Sequence, residues 1–161
     1  MNKNKKNLYL RAAVLGVIAG MRSASAPAVI SQRAATAPEG FKGTPFGWLS
    51  NAPIRPLFML SAIGELIVDK LPFVGSRIAP GPLVVRAMSG AFVGSAAFAE
   101  ADESLAVGAV TGALGAIASS YAFYYTRRTI AQILHIPDLP VALAEDAATV
   151  GAGSWVLKTY E

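Results

Sequence analysis

Cysteine is absent from the chain and histidine occurs once, at His135. Without cysteine there is no disulfide, no thiol nucleophile and no thiolate metal site. A single imidazole excludes a multi-histidine metal centre within one chain. Charge is scarce as well: 15% of the residues are Asp, Glu, Lys or Arg, where soluble domains carry about a quarter. Also missing are a glycine-rich phosphate loop, a nucleophile elbow, a metal-binding histidine pair and a Ser/His/acid set. The expectation is a chain without enzymatic activity, cofactor or metal.

What is present is apolar. Hydrophobic residues make up 53% of the 161 positions, and the mean hydropathy is +0.46. A soluble domain this small needs more polar surface, so the expectation is one integral membrane domain over residues 1–161, with the lipid bilayer as its first partner. The net charge is +4, but the basic residues gather at the ends of apolar runs. There they serve as headgroup contacts and orientation signals rather than as a nucleic-acid footprint.

The runs predict an all-α, polytopic protein of about five transmembrane helices. After a polar start with Lys3, Lys5 and Lys6, helix 1 runs from Leu8 to about Ile30, kinked or ended near Pro27. A signal peptide competes for this stretch through Ala24-Ser25-Ala26, but Arg22 sits where such a signal is apolar or small. Ser31 to Pro56 is a Gly/Pro-rich connector with Phe41, Phe46 and Trp48, too long for a structureless loop and expected in part at the membrane interface. Helix 2 covers about Ile54–Leu71, helix 3 runs from the Pro80-Gly81-Pro82 breaker to about Ala99, and helix 4 covers about Ser104–Tyr125. Arg127 and Arg128 close helix 4, a short amphipathic piece holds His135 and Pro137, and helix 5 covers about Leu139–Leu157. Helices 2 and 5 are near the lower length limit for a hydrocarbon slab of about 30 Å.

With the N-terminus inside, the inner segments hold Lys3, Lys5, Lys6, Arg11, Lys70, Arg77, Arg127 and Arg128, and the outer ones Arg33, Lys42, Arg55 and Lys158. That excess predicts a cytoplasmic N-terminus, an outer C-terminus and an outer acidic turn at Glu100–Glu103.

Four charges lie inside apolar runs: Glu65, Arg86, Glu145 and Asp146. Each costs about 2.5–3.5 kcal/mol to insert. Glu65, Arg86 and Glu145 fall at similar depths, roughly 8–12 Å from the cytoplasmic helix ends at about 1.5 Å per residue. Arg86 is therefore a candidate partner of one or both glutamates, Asp69 and Arg77 form a second tier, and Arg22 has no partner visible in the sequence. Two acids beside one arginine leave one carboxylate under-compensated, as a proton carrier requires. This set predicts a path for an ion or small polar solute. The plainer reading is an ion-paired core that fixes helix registry.

Gly16-x-x-x-Gly20 in helix 1, Gly90-x-x-x-Gly94 in helix 3 and Gly108-x-x-x-Gly112 in helix 4 let backbones approach closely, inside one bundle or across a homodimer face. Helices 1 and 4 share this pattern, and helices 2 and 5 share a central Ala-x-x-Glu: Ala62 with Glu65, Ala142 with Glu145. Such pairing suggests an inverted two-helix repeat, helices 1–2 and 4–5 around helix 3. Five short helices scarcely enclose a polar path alone, which makes a homodimer the expected assembly.

Gly20-Met21-Arg22-Ser23 with Ala26-Pro27-Ala28, then Gly64-Glu65-Leu66-Ile67-Val68-Asp69-Lys70-Leu71-Pro72 with Ser76-Arg77, carry a resemblance. Together with Arg86, Ser89-Gly90-Ala91 and Leu143-Ala144-Glu145-Asp146, this pattern resembles the bacterial membrane proteins grouped as domain of unknown function 4126. The resemblance spans helix 1 to helix 5. It implies an integral protein of the bacterial inner membrane and supplies no catalytic residues. The function expected is that of a small transporter or channel-like protein, with a membrane scaffold as the alternative and a lipid-modifying enzyme third.

Overall fold

The computed structural model describes residues 3–68, 78–134 and 138–159. Among them are six α-helices and no strand: α1 (Lys3–Met21), α2 (Ser25–Thr36), α3 (Ile54–Val68), α4 (Pro80–Glu100), α5 (Leu105–Leu134) and α6 (Asp138–Lys158). The connector between α2 and α3 folds into two short 3₁₀ turns, Pro38–Phe41 and Gly47–Ser50. Phe41 and Leu49 of these turns are fully buried, and the rings of Phe46, Trp48, Phe58 and Phe92 cluster beside them.

The centre is a three-helix unit of α1, α4 and α5. It is tight because it is built from glycine. Gly16 lies on the backbone of Gly112, Gly90 on that of Gly112, and Gly94 on that of Gly108. A Cβ at any of these positions would overlap the facing main chain, so the small-residue patterns serve packing within the chain.

α1 and α5 run in the same direction, since Gly16 meets Gly112 while Gly20 meets Ala116. An inverted repeat requires helices 1 and 4 of the sequence reading to run oppositely, and this pair does not.

The expected helix 1 is two helices. It stops at Met21, and α2 returns toward the end from which α1 came. Arg33 of α2 donates to Glu100 at the end of α4 (2.8 Å), and Lys5 of α1 pairs with Glu103 just beyond (2.7 Å). Arg11 of α1 also donates to the Thr159 carbonyl past the end of α6. Both described ends of the chain and the acidic turn therefore share one end of the molecule. The expectation of a turn and a C-terminus opposite the N-terminus fails because it counts as one pass a stretch that runs out in α1 and back in α2.

Two helices, α4 and the Leu105–Ile130 part of α5, are long and apolar enough to cross a membrane among the described residues. The twelve residues of α2 reach only about 18 Å at 1.5 Å per residue, and the fifteen described residues of α3 span about 22 Å. Leu15, Ile18, Ile30, Leu49, Val93 and Val156 form an apolar core, yet large aliphatic side chains also face outward. Leu57, Leu60, Ile63 and Ile67 of α3, Val84, Val85 and Met88 of α4, and Val110 and Leu114 of α5 are exposed. Arg22 (1% exposed), Arg86 (5%) and Glu145 (6%) are buried.

A candidate functional site at a broken helix

The break between α1 and α2 begins with Pro27. Proline has no N–H, so the carbonyl four residues earlier, that of Ser23, gains no helical donor. In the first turn of α2 the missing N–H costs nothing, because donors there are unpaired in any helix. Ser89 of α4 takes the orphaned Ser23 carbonyl, its hydroxyl donating at 2.5 Å.

The other backbone groups at the gap are met by charge from two further helices. The Glu65 carboxylate of α3 accepts from the Ser23 N–H (2.7 Å), the Ser23 hydroxyl (2.6 Å) and the Ala24 N–H (2.7 Å). Glu65 thus caps α2 from outside, where Ala24, the residue at the cap position, has no side-chain acceptor of its own. On the other side of the gap, Nη1 of Arg86 donates to the Gly20 and Met21 carbonyls, both at 2.8 Å, and the Ser120 hydroxyl also reaches the Gly20 carbonyl. The signs suit the half-helix dipoles: a cation sits at the C-terminus of α1 and an anion at the N-terminus of α2.

α6 brings two adjacent acids to the same region. Asp146 accepts from Nε of Arg22 at 3.0 Å and from Nη2 of the same guanidinium, which places an ion pair beside the break. Glu145, its neighbour, meets Arg127 of α5 at 3.8 Å. Thr149, one turn on from Glu145, lies against the Met21 sulfur.

Around one break, then, the fold assembles Glu65, Arg86, Arg22 and Asp146, with Glu145 next to it. Arg86 and Glu65, expected to face each other, meet across the interrupted main chain, one on carbonyls and the other on N–H groups. Arg22, partnerless in the sequence, has Asp146. Asp69, Arg77 and His135 lie outside the described residues. Sequence reasoning missed Ser89, Ser120 and Arg127, the last taken only as a helix-closing base. The spacing of Arg86 and Ser89, which puts both on one face of α4, and that of Ser23 and Pro27 were the available signals.

The chain was compared with protein-family models, curated proteins and solved structures. None matches it. The geometry of the break therefore carries the functional argument.

Proposed function

We propose that the chain is a small multi-pass protein of the bacterial inner membrane, of the kind its resemblance implies, that conducts or transports an ion or small polar solute at the α1–α2 break. The observation that carries this reading is a half-buried, non-helical stretch of backbone clamped by Glu65 and Arg86, in a bundle that exposes large aliphatic residues on α3, α4 and α5. Within lipid, irregular backbone persists only where protein buries it or where it lines a polar cavity. Discontinuous helices with charged groups at the half-helix ends are how many transporters build their central site. Arg22, Asp146, Glu145 and Arg127 extend the polar groups from the break along α5 and α6. On the other side of the break, the backbones of α1, α4 and α5 meet closely at their glycines, and this part is read as the seal.

Lys5, Lys6, Arg11, Arg33, Lys42, Arg55 and Lys158 belong to the end that holds both described chain ends. Arg127 and Arg128 belong to the opposite part of α5. Among the described residues, that asymmetry supports placing the first end in the cytoplasm. A homodimer would cover part of the outward apolar surface and help enclose the polar groups.

A second reading, a membrane scaffold, is favoured by one observation: the chain's own side chains already occupy both half-helix ends. Flux decides between the two. Proteoliposomes carrying wild type, Glu65→Gln or Glu145→Gln are subjected to a pH gradient, after each variant is shown to be folded and of the same oligomeric state. Wild-type flux that either variant abolishes supports a conducting site. Wild-type vesicles no leakier than empty ones refute proton conduction and favour the scaffold.

A further inference from the structure

At the end of the molecule away from the ion pairs of α6 there is a cavity of about 320 Å³, lined by Lys5, Asn7, Leu8 and Arg11 of α1 and by Ala101 and Glu103 of the α4–α5 turn. Its walls differ in chemistry. The α1 wall supplies an ammonium, a carboxamide and a guanidinium, and the turn supplies a carboxylate, with Leu8 and Ala101 as the apolar part. The turn fixes the main chain from which the carboxylate projects. Asp102 takes a positive φ of 53°, a left-handed conformation that aspartate tolerates better than most residues, and the Glu103 N–H donates to the Phe98 carbonyl at 2.9 Å. The Arg11 guanidinium is positioned by the Thr159 carbonyl, onto which it donates.

We propose that this cavity binds the phosphoethanolamine headgroup of a membrane lipid, an inference that rests on the membrane reading above. Its volume is at the small end of ligand pockets, a size for a headgroup rather than for a large solute. The phosphodiester takes Lys5, Asn7 and Arg11, and the primary ammonium takes Glu103. Binding exchanges the Lys5–Glu103 pair, in which Lys5 is more than half exposed, for two separate charge-assisted contacts. Exposed pairs of that kind are weak and open readily. The ethanolamine N–H donors matter because a quaternary choline, with no N–H, leaves Glu103 without a hydrogen bond.

The test titrates dihexanoyl phosphatidylethanolamine, dihexanoyl phosphatidylcholine and inorganic phosphate into the full-length protein in detergent by calorimetry. The ethanolamine lipid binds about tenfold more tightly than the choline lipid, as expected for one charge-assisted hydrogen bond. Glu103→Leu, which removes the acceptor, erases that preference, and Lys5→Gln weakens both lipids. Equal affinity for the two lipids, phosphate binding as tight as the lipid, or a preference that survives Glu103→Leu overturns the proposal. The comparison of the two lipids on wild type needs no variant to fold. Alkaline-carbonate extraction of cell membranes tests the membrane reading separately, since the short-chain probes report headgroup binding in detergent whatever its result.

Discussion

Glu65 and Arg86 close the two sides of one gap. The carboxylate takes the N–H groups of Ser23 and Ala24, and the guanidinium takes the carbonyls of Gly20 and Met21. Neither residue is near the break in sequence, yet between them they satisfy backbone groups that the interrupted helix leaves unpaired.

Glu65→Ala therefore leaves two N–H groups and a hydroxyl without their acceptor. The expected loss is about 1–2 kcal/mol, from the lost helix cap and from donors that are only partly reached by water. Glu65→Gln keeps one carbonyl acceptor and loses about 1 kcal/mol. Thermal and denaturant unfolding in detergent measure both. Equal, negligible effects would show that α2 does not depend on this cap.

Arg22 and Asp146 form a pair that is buried on the arginine side and mostly buried on the other. Removing one partner strands a charge, so Arg22→Met and Asp146→Leu are each expected to cost about 3–5 kcal/mol. The double variant costs far less than the sum, because it strands nothing. A double-mutant cycle showing simple additivity would mean that the two side chains do not interact in the folded protein.

The glycines divide into two kinds. Gly112→Ala puts a methyl group against the Gly90 carbonyl and is expected to cost about 1–3 kcal/mol through overpacking. At Gly64 and Gly151 an added Cβ meets nothing. Alanine there is expected to stabilise its helix by about 0.5–1 kcal/mol. Melting temperatures of the three variants check the contrast, and a neutral Gly112→Ala would refute the backbone contact.

Because the chain has no cysteine of its own, single cysteines report topology without background. Asn7→Cys and Lys158→Cys are expected to react with an impermeant maleimide from the same side of sealed vesicles, since Arg11 and Thr159 bring the two ends together. Labelling from opposite sides would restore an odd number of crossings.

Much of the helical plan was legible because apolar runs and proline breakers are local. The start of α4 at Pro80 and the α4–α5 turn at Glu100–Glu103 sit where composition placed them. The break was not legible, because Arg22, Ser23 and Ala24 tolerate helix and only Pro27 hinted at an interruption. Its cause lies in groups that residues 65, 86 and 89 supply from other helices, and no window along the chain contains them. The same holds for Arg22, whose partner is 124 positions away. The buried charges were found by their cost in an apolar setting, which any hydropathy profile shows. Their pairing depended on the reversal at the break, which placed α2, and with it the α3 carboxylate, on a course that a continuous helix 1 does not allow.

The clamp at the break also orders the making of the protein. When α1 and α2 leave the ribosome, the carbonyls of Gly20 and Met21 and the N–H groups of Ser23 and Ala24 have no partners. Glu65 follows about forty residues later, and Ser89 and Arg86 more than twenty after that. The N-terminal hairpin is thus an unfinished structure for nearly half of synthesis, and the arrival of α4 completes it.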